Sequence, residues 1–533
     1  MATSDEGIPP LERPVGVVER LLAMRPLIAL AAVLITTTGH TMNLREMGVG
    51  KGWVAAEVYA LQSCYLVSLA LMMAASPALS RRWSCVGLAR WGLVLVAAGS
   101  FVNGAMLAPL EVFLAARATA GAGAGLVIYF APRLIERRWQ AAVTWAVILC
   151  PVAGPGVISA ASMMREASDW QFGFLFEGMT AAVGLVVLLS MEHTTEWPPP
   201  EAPGSLTFLL PLIVAVAALF YVLHWGQLHG WSESSDIVAV SIVGTAAFGV
   251  SLWIAWPRLD WVALNENGIR LLLFFFGGMC QFFHGYTMNV YGGTLVNFSS
   301  WQRAWLIWPL PIGVAASLSL VAFRLHRGRS GPGLPGAFAG LLLLAGGLYL
   351  CHRQTMEWPY WTIRVTNDLN WFPAPQHWEL APGRFLMGLG VGLFMIAMDV
   401  RFSPDPEREE KVRPFLSVVQ FFGGGIAAAV LVNYLMIGHQ VYYSYTSDRD
   451  NIQAAELAVR RDVLRDENPA APPMDPDRAI EAQLDRFVNY EADNLVFALI
   501  YGSFLVASLV LAGVVLVLWI RLGAHPPPGP PAP

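Results

Sequence analysis

The sequence predicts an all-α polytopic membrane protein with fourteen transmembrane helices. Three observations support this fold class. Of the 533 residues, 56% are hydrophobic and only 13% are charged, whereas a soluble domain has about 25% charged residues. Fourteen apolar runs are long enough to cross roughly 30 Å of hydrocarbon. Finally, the arginine and lysine residues between these runs gather on one side of the predicted membrane.

The predicted spans follow one another along the whole chain, and an even number of them places both termini on the same side. They lie at residues 25–43, 55–79, 86–107, 110–134, 140–163, 170–190, 205–224, 237–256, 269–290, 303–324, 333–352, 382–400, 413–436 and 495–520.

The distribution of positive charge predicts that both termini are cytoplasmic. With that orientation the internal segments hold Arg13, Arg20, Arg25, Arg81, Arg82, Arg90, Arg133, Arg137, Arg138, Arg324, Arg327, Arg329, Arg401, Arg408, Lys411 and Arg413. The short external loops hold only Arg45, Lys51, Arg165, Arg353 and Arg364. Cytoplasmic loops of membrane proteins carry such an excess of arginine and lysine.

An arginine-led glycine pattern occurs once in each half of the chain. Arg117 is followed by glycines at 121, 123 and 125, and Arg384 by glycines at 388, 390 and 392. Glycines four residues apart share a helix face and let another helix approach closely. The spacing predicts two parallel repeats, at residues 1–204 and 266–533, with a two-helix insert at 205–265. The alternative is a chance match between glycine-rich membrane helices.

Three connecting segments are longer than the rest. The linker Met191–Gly204 is rich in proline, and the external loop His352–Ala381 is rich in aromatic residues, as expected at a membrane interface. The extracytoplasmic loop at about 438–494 is charged, and its end has apolar residues at helical spacing (Ile480, Leu484, Phe487 and Val488).

Several of these stretches resemble motifs of one transporter family. Ala115–Gly125 is similar to an arginine motif of a fourth helix, with Arg117 and Gly121 on its arginine and glycine, and Gly154-Pro155 is similar to the core of a fifth-helix antiporter motif. Ser168–Phe174 resembles the aromatic start of a sixth helix, and Leu223–Trp231 a signature after the seventh. Together they resemble the fourteen-helix drug:proton antiporter branch of the major facilitator superfamily.

This resemblance implies two six-helix bundles that rock about a central cavity in a bacterial cytoplasmic (inner) membrane. It also implies that Gly121, Gly125, Gly154 and Pro155 form conformational motifs. The chain departs from the family pattern in the loop after the second helix, where Ser76, Ser80-Arg81 and Trp83 stand in place of glycine, aspartate-arginine and glycine. The acidic residue usual in the first helix is also missing. These departures concern proton coupling and the cytoplasmic gate rather than the fold.

Five ionisable residues inside predicted spans are candidates for transport or proton coupling, because a charged group at mid-bilayer is costly and calls for a reason. Arg117 is either an anchor for a carboxylate or a clamp on backbone carbonyls. Glu177 is either a proton carrier or an arginine-paired glutamate. His40 and His284 are either replacements for the missing acid or packing residues, and Arg384 is either functional or a snorkelling side chain.

These features favour a secondary active transporter that exports amphipathic drug-like or metabolite substrates in exchange for protons. Two alternatives stay open: a membrane scaffold or complex subunit with the same fold, and a uniporter or symporter of a lipid- or siderophore-like metabolite. The net charge of -5 argues against a nucleic-acid partner, and no motif indicates an enzyme, a metal site or a cofactor. Expected partners are a small amphipathic substrate, protons and membrane lipid. The resemblance also implies a periplasmic membrane-fusion adaptor that docks on residues 452–491, and the alternative is a solvated loop without a partner.

Overall fold

The computed structural model describes residues 24–39, 44–105, 109–135, 140–163, 170–191, 206–256, 261–294, 300–327, 332–365, 377–399, 406–452 and 476–524. Every regular element in these ranges is a helix, which confirms the all-α class. Helices suit a chain of this composition because lipid offers no hydrogen-bond partner to the backbone, and a helix satisfies its own N–H and C=O groups.

The first half begins with the helices that hold the candidate site. They are α1 (Arg25–Gly39), α2 (Leu44–Lys51), α3 (Ala55–Leu79), α4 (Cys85–Ala105), α5 (Leu110–Phe130), α6 (Gln140–Met163) and α7 (Gln171–Leu189). A short 3-10 turn at Ala131–Leu134 extends α5.

Two helices, α8 (Leu209–Trp225) and α9 (Ser235–Ala255), follow the first half. The remaining helices form the second half. They are α10 (Trp261–Thr294), α11 (Ser300–Ile307), α12 (Pro309–His326), α13 (Gly333–Val365), α14 (His377–Asp399), α15 (Pro406–Ile452) and α16 (Pro476–Ala524).

Ten helical segments in the described residues are long and apolar enough to cross a membrane, so the chain has the character of an integral, multi-pass membrane protein. They are Ala55–Leu79, Cys85–Ala105, Leu110–Leu134, Gln171–Leu189, Ser235–Ala255, Asn267–Gly293, Gly333–Thr355, Glu379–Met398, Phe415–Ser444 and Ala492–Arg521. Shorter apolar segments at Arg25–Thr37, Ala141–Val157, Leu209–Trp225 and Pro309–Arg324 occupy the other four predicted positions. The count of fourteen spans and the cytoplasmic location of the termini stay predictions.

Two predicted loops are partly helical, which corrects the sequence-based boundaries. The loop predicted at 438–494 is helical at both ends. α15 continues to Ile452, which was not expected, whereas α16 begins at Pro476 and includes the apolar residues 480, 484, 487 and 488 that were predicted from their helical spacing. Likewise, α13 runs through the first part of the loop predicted at 352–381 and ends at Val365. Continuing a helix adds one hydrogen bond for each residue fixed, so these helices do not stop where the apolar run stops. The rest of the segment expected to dock an adaptor lies outside the described residues.

The two halves share one scheme of helix neighbours. In the first half α1 packs against α6, α3 and α4 pack against α5, and α4 packs against α7. In the second half α10 packs against α15, α12 and α13 pack against α14, and α13 packs against α16. The correspondence runs helix by helix in chain order and supports the predicted parallel repeat. The domain boundaries themselves stay a prediction.

The contacts that join the halves include two aromatic ones. Trp308, just before α12, donates its indole N–H to the carbonyl of Val152 on α6 at 3.0 Å. The rings of Tyr59 on α3 and Tyr286 on α10 lie 5.9 Å apart. These positions lie toward the ends of α3, α10 and α12 that the arginine pattern places outside, so the halves meet on that side of the molecule.

The two inserted helices cover one flank of the seam between the halves. α8 packs against α9, and also against α3 of the first half and α15 of the second. The hydroxyl of Ser63 on α3 donates to the carbonyl of Gly425 on α15 at 2.9 Å and lies 2.8 Å from Nε2 of His224 on α8. Asn433 on α15 donates to the carbonyl of Leu223 at 2.7 Å. A buried polar junction therefore ties the insert to both halves.

Two adjacent glycines on α13 differ in how closely they approach the neighbouring helix. A Cβ at Gly347 would crowd the backbone of α14, at the carbonyl of Gly383 and the amide of Met387, whereas a Cβ at Gly346 meets nothing within 4 Å. We expect Gly347→Ala to destabilise the protein by about 1–3 kcal/mol through overpacking. Gly346→Ala should be neutral or slightly stabilising, because alanine favours a helix by about 0.5–1 kcal/mol. Thermal unfolding of both purified variants measures this, and equal shifts would contradict the packing described.

Candidate functional site

A buried ion pair joins two helices of the first half. Nη1 of Arg117 on α5 lies 2.8 Å from Oε2 of Glu177 on α7, and each side chain is only 1% exposed. The sequence singled out both residues without showing that they meet. The structure brings them together and places both inside the protein rather than against lipid. Glu177 is thus arginine-paired in this conformation, and Arg117 has the carboxylate partner expected for an anchor.

Aromatic rings enclose the guanidinium of Arg117. Its Cζ lies 4.3 Å from the ring centroid of Tyr65 on α3 and 5.3 Å from that of Phe174 on α7. The Tyr65 hydroxyl lies 2.9 Å from Oγ1 of Thr37 on α1. Ring faces attract cations by their quadrupole without neutralising the charge. The site therefore holds Arg117 in place while leaving its positive charge available to an acid.

Arg117 and Glu177 each have one side-chain atom that makes no hydrogen bond. Among the described residues, neither Nη2 of Arg117 nor Oε1 of Glu177 has a hydrogen-bond partner, and both atoms are buried. A guanidinium and a carboxylate can form two parallel bonds, but here they form one. An unsatisfied buried polar group costs about 1–3 kcal/mol. The arrangement is therefore suited to accept a further group, such as a proton on Glu177 or an anion on Arg117.

Glycines fix the position of Arg117 relative to Tyr65. A Cβ at Gly121 would overlap the carbonyl oxygen of Tyr65 and the hydroxyl of Ser68, and one at Gly125 would lie 2.5 Å from the carbonyl oxygen of Leu69. The backbones of α5 and α3 therefore touch along this face, as the four-residue glycine spacing predicts. Arg117, one turn before Gly121, is consequently held against the Tyr65 ring.

The second half repeats this construction around Arg384. A Cβ at Gly388 would overlap the carbonyl oxygen of Leu310 on α12, and one at Gly392 the hydroxyl of Ser317 on the same helix. The intervening glycines of the two patterns, Gly123 and Gly390, face α4 and α13 instead. Each arginine-led helix is thus pressed between the two helices that precede it in its own half.

Arg384 does not snorkel. It is 0% exposed, its Nε donates to the carbonyl of Leu380 at 3.1 Å, and its Nη1 donates to the carbonyl of Leu306. Nη1 also lies 3.2 Å from the sulfur of Met288 on α10. These contacts clamp α14 to α11 and α10, so the two motif arginines have different surroundings despite their matching glycines.

Of the two candidate histidines, the structure describes one. His284 on α10 is 3% exposed, and neither ring nitrogen has a hydrogen-bond partner among the described residues. It lies one turn before Met288, whose sulfur contacts Arg384. His40 lies outside the described residues.

Gly154 and Pro155 lie inside a continuous helix. α6 extends from Gln140 to Met163 with Pro151 and Pro155 within it, and both residues of the predicted motif are buried. The next residue, Gly156, is where α6 meets the second half: a Cβ there would overlap the Trp308 ring. The glycine is therefore needed for a contact across the seam, which the sequence alone did not indicate.

Sequence reasoning missed two further buried arginines of the second half. Arg270 donates to the side chain of Asn267 at 2.7 Å, and Arg303 donates to that of Asn289 at 2.9 Å; both arginines are 0% exposed. The Asn267–Arg270 spacing places the two on one helix face and was a usable signal. Among the described residues no group of three or more histidine, cysteine, aspartate or glutamate side chains is placed to hold a metal ion.

Solved transporter structures share this fold. No protein-family model and no curated protein sequence matches the chain. Tetrameric PepTSo2 matches with a TM-score of 0.58 at 13% identity, over 95% of this chain and 100% of that one. A POT family transporter in complex with a thioalcohol-conjugated peptide matches with 0.57 at 14%, over 95% and 98%. The nucleoside transporter NupG matches with 0.55 at 13%, over 94% and 99%. At this identity the likeness shows the fold alone.

Proposed function

We propose that this protein is a secondary active transporter that moves a small organic solute across the membrane in exchange for protons. The observation that carries the proposal is the half-satisfied Arg117–Glu177 pair, which lies buried between two helices of a transporter fold. Intramembrane ionisable residues commonly mark substrate pathways and proton relays. The peptide and nucleoside transporters that share the fold support a solute carrier in general.

The coupling step depends on the chemistry of the pair. When Glu177 takes up a proton it loses its negative charge and its hold on the guanidinium of Arg117. Arg117 is then a buried cation without a counter-charge, which is costly. While Glu177 is ionised, its free Oε1 can accept a hydrogen bond from a donor group of the solute, and protonation ends that bond. Proton loss from Glu177 restores both the original pair with Arg117 and the binding site for the solute. Proton and solute thus exclude one another at one carboxylate, as exchange requires.

Proton movement supplies enough free energy for useful transport. One elementary charge crossing 100 mV yields about 2.3 kcal/mol, which corresponds to a concentration ratio of about 50. We propose export as the direction and an amphipathic drug-like or metabolite molecule as the substrate. The reason is that Gly154-Pro155 on α6, the fifth predicted span, resembles a motif of antiporters. Peptides and nucleosides join the substrates to be tested because proteins with this fold carry them.

Transport by reconstituted protein tests this function. Full-length protein in proteoliposomes, under an imposed pH gradient, should move at least one member of a panel of amphipathic drugs, short peptides and nucleosides. Movement should cease when an ionophore collapses the gradient. If correctly inserted protein moves no member of the panel and carries no protons, the transporter proposal fails and a scaffold role gains support.

A further inference from the structure

The ammonium group of Lys51, at the end of α2, lies among three aromatic rings. Its Nζ is 4.9 Å from the ring centroid of Phe113, 5.7 Å from that of Trp53 and 5.8 Å from that of Trp170. We call these three rings the aromatic cage. Within the described part of the chain, the ammonium meets ring faces and no carboxylate. Such a cage is how proteins recognise organic ammonium groups.

The rings of the aromatic cage support one another. Trp53 and Phe113 pack edge to face with centroids 5.2 Å apart, and Phe113 and Trp170 lie 6.0 Å apart. Phe113 is 0% exposed and Trp170 is 8% exposed. Two of the three rings are therefore fixed in the protein interior whether or not a cation is present. Lys51 itself is half-buried and sits on a flexible stem.

The aromatic cage adjoins the Arg117–Glu177 site. Phe113 lies one helical turn before Arg117 on α5. The Trp170 ring lies 6.2 Å from Phe174, whose ring in turn lies 5.3 Å from the Arg117 guanidinium. A molecule spanning the two places would have its cationic group in the aromatic cage and its other end near the ion pair.

We propose that the aromatic cage is a subsite for an organic ammonium group of the solute, and that Lys51 fills it as a tethered occupant when no solute is bound. The role in transport rests on the proposed function, whereas the binding itself does not. Ring faces attract a methylated ammonium more strongly than a neutral group of the same shape, because only the cation interacts with the ring quadrupole. The subsite therefore selects on charge.

A tethered occupant competes with any free cation. If Lys51 fills the aromatic cage nine-tenths of the time, the apparent affinity for a free ammonium falls about tenfold, because only the empty fraction can bind. Removing the lysine charge should therefore tighten binding of a cation. Deleting an ordinary binding residue has the opposite effect, since it weakens binding.

Calorimetry on the purified full-length protein tests this, with choline and its uncharged isostere 3,3-dimethylbutan-1-ol as probes. We expect Lys51→Met to bind choline about tenfold more tightly than the wild type, and to bind the uncharged isostere more weakly than it binds choline. Lys51→Arg keeps the tethered cation and should not show the gain. Adding Trp53→Leu or Phe113→Leu to Lys51→Met should remove the gain in choline affinity. Trp53 is only half-buried, so its substitution does not disturb the core.

Two results would overturn the subsite. The first is a Lys51→Met protein that gains no affinity for choline while keeping the wild-type thermal midpoint, which would mean that the aromatic cage only anchors α2. The second is a Lys51→Met protein that binds choline and its isostere with equal affinity, which would mean that the aromatic cage does not select a cation. The proposed function can fail on its own. If Lys51→Met binds choline, Glu177→Gln does not change that binding, and the protein transports nothing, then the subsite stands and proton-coupled transport is rejected.

Discussion

Glu177→Gln should abolish proton-driven accumulation of the solute. At 100 mV a one-proton exchange supports a concentration ratio of up to about 50, and without a proton carrier the ratio falls to about one. Glutamine has the shape of glutamate and still accepts a hydrogen bond from Arg117, but it takes up no proton at neutral pH. The measurement is the solute ratio across proteoliposome membranes under an imposed proton gradient.

Two controls make the Glu177→Gln result specific. Glu111→Gln removes an exposed carboxylate from α5, the helix that carries Arg117, and should transport normally. Exchange of labelled for unlabelled solute without a gradient should survive in Glu177→Gln, because rocking does not require the proton. Wild-type accumulation by this variant would show that another group carries the proton, and the buried His284 would then be the next residue to test.

Arg117→Met should destabilise the protein by about 3–5 kcal/mol, the usual cost of leaving one partner of a buried ion pair uncompensated. Both side chains are 1% exposed, so solvent cannot screen the remaining carboxylate. Methionine keeps much of the volume of the arginine stem but lacks the guanidinium, and the loss therefore reports mainly on charge. Thermal unfolding of the purified protein at pH 7 measures it.

The double variant Arg117→Met with Glu177→Leu separates charge from packing. Replacing both partners of a buried pair by apolar side chains is often neutral or stabilising, so most of the stability lost in Arg117→Met should return. Transport should not return. A double variant as unstable as the single one would mean that Arg117 acts through its packing rather than through Glu177.

The fold could be predicted from the sequence because a backbone surrounded by lipid must satisfy its own hydrogen bonds. Apolar runs of sufficient length must be helices, and the glycine spacing after Arg117 and Arg384 already indicated which helix faces touch. The helical stretches beyond the apolar runs, at the ends of α13 and α15, could not be predicted from hydropathy. Residues 445–452 are too polar to belong to a span, yet nothing in them breaks a helix.

The candidate site was only partly predictable. Arg117 and Glu177 stand out as charges inside apolar runs, but their pairing depends on how α5 and α7 are rotated, which hydropathy does not specify. Arg384 illustrates the same limit: its glycine pattern matches that of Arg117, while its contacts are with backbone carbonyls and Met288. The aromatic cage escaped notice because its rings come from three separate parts of the chain.

The junction of His224, Ser63 and Gly425 constrains how this molecule moves. One serine hydroxyl there serves three helices at once, α3, α8 and α15. Parting α3 from α15 would break the Ser63–Gly425 hydrogen bond, and Ser63 keeps its contact with the buried His224 only if α8 travels with α3. At α6 the halves are joined by the indole of Trp308, which can swing on its own side-chain torsions. We therefore expect the two halves to separate at the Trp308 contact and to stay together along α8, which acts as the hinge.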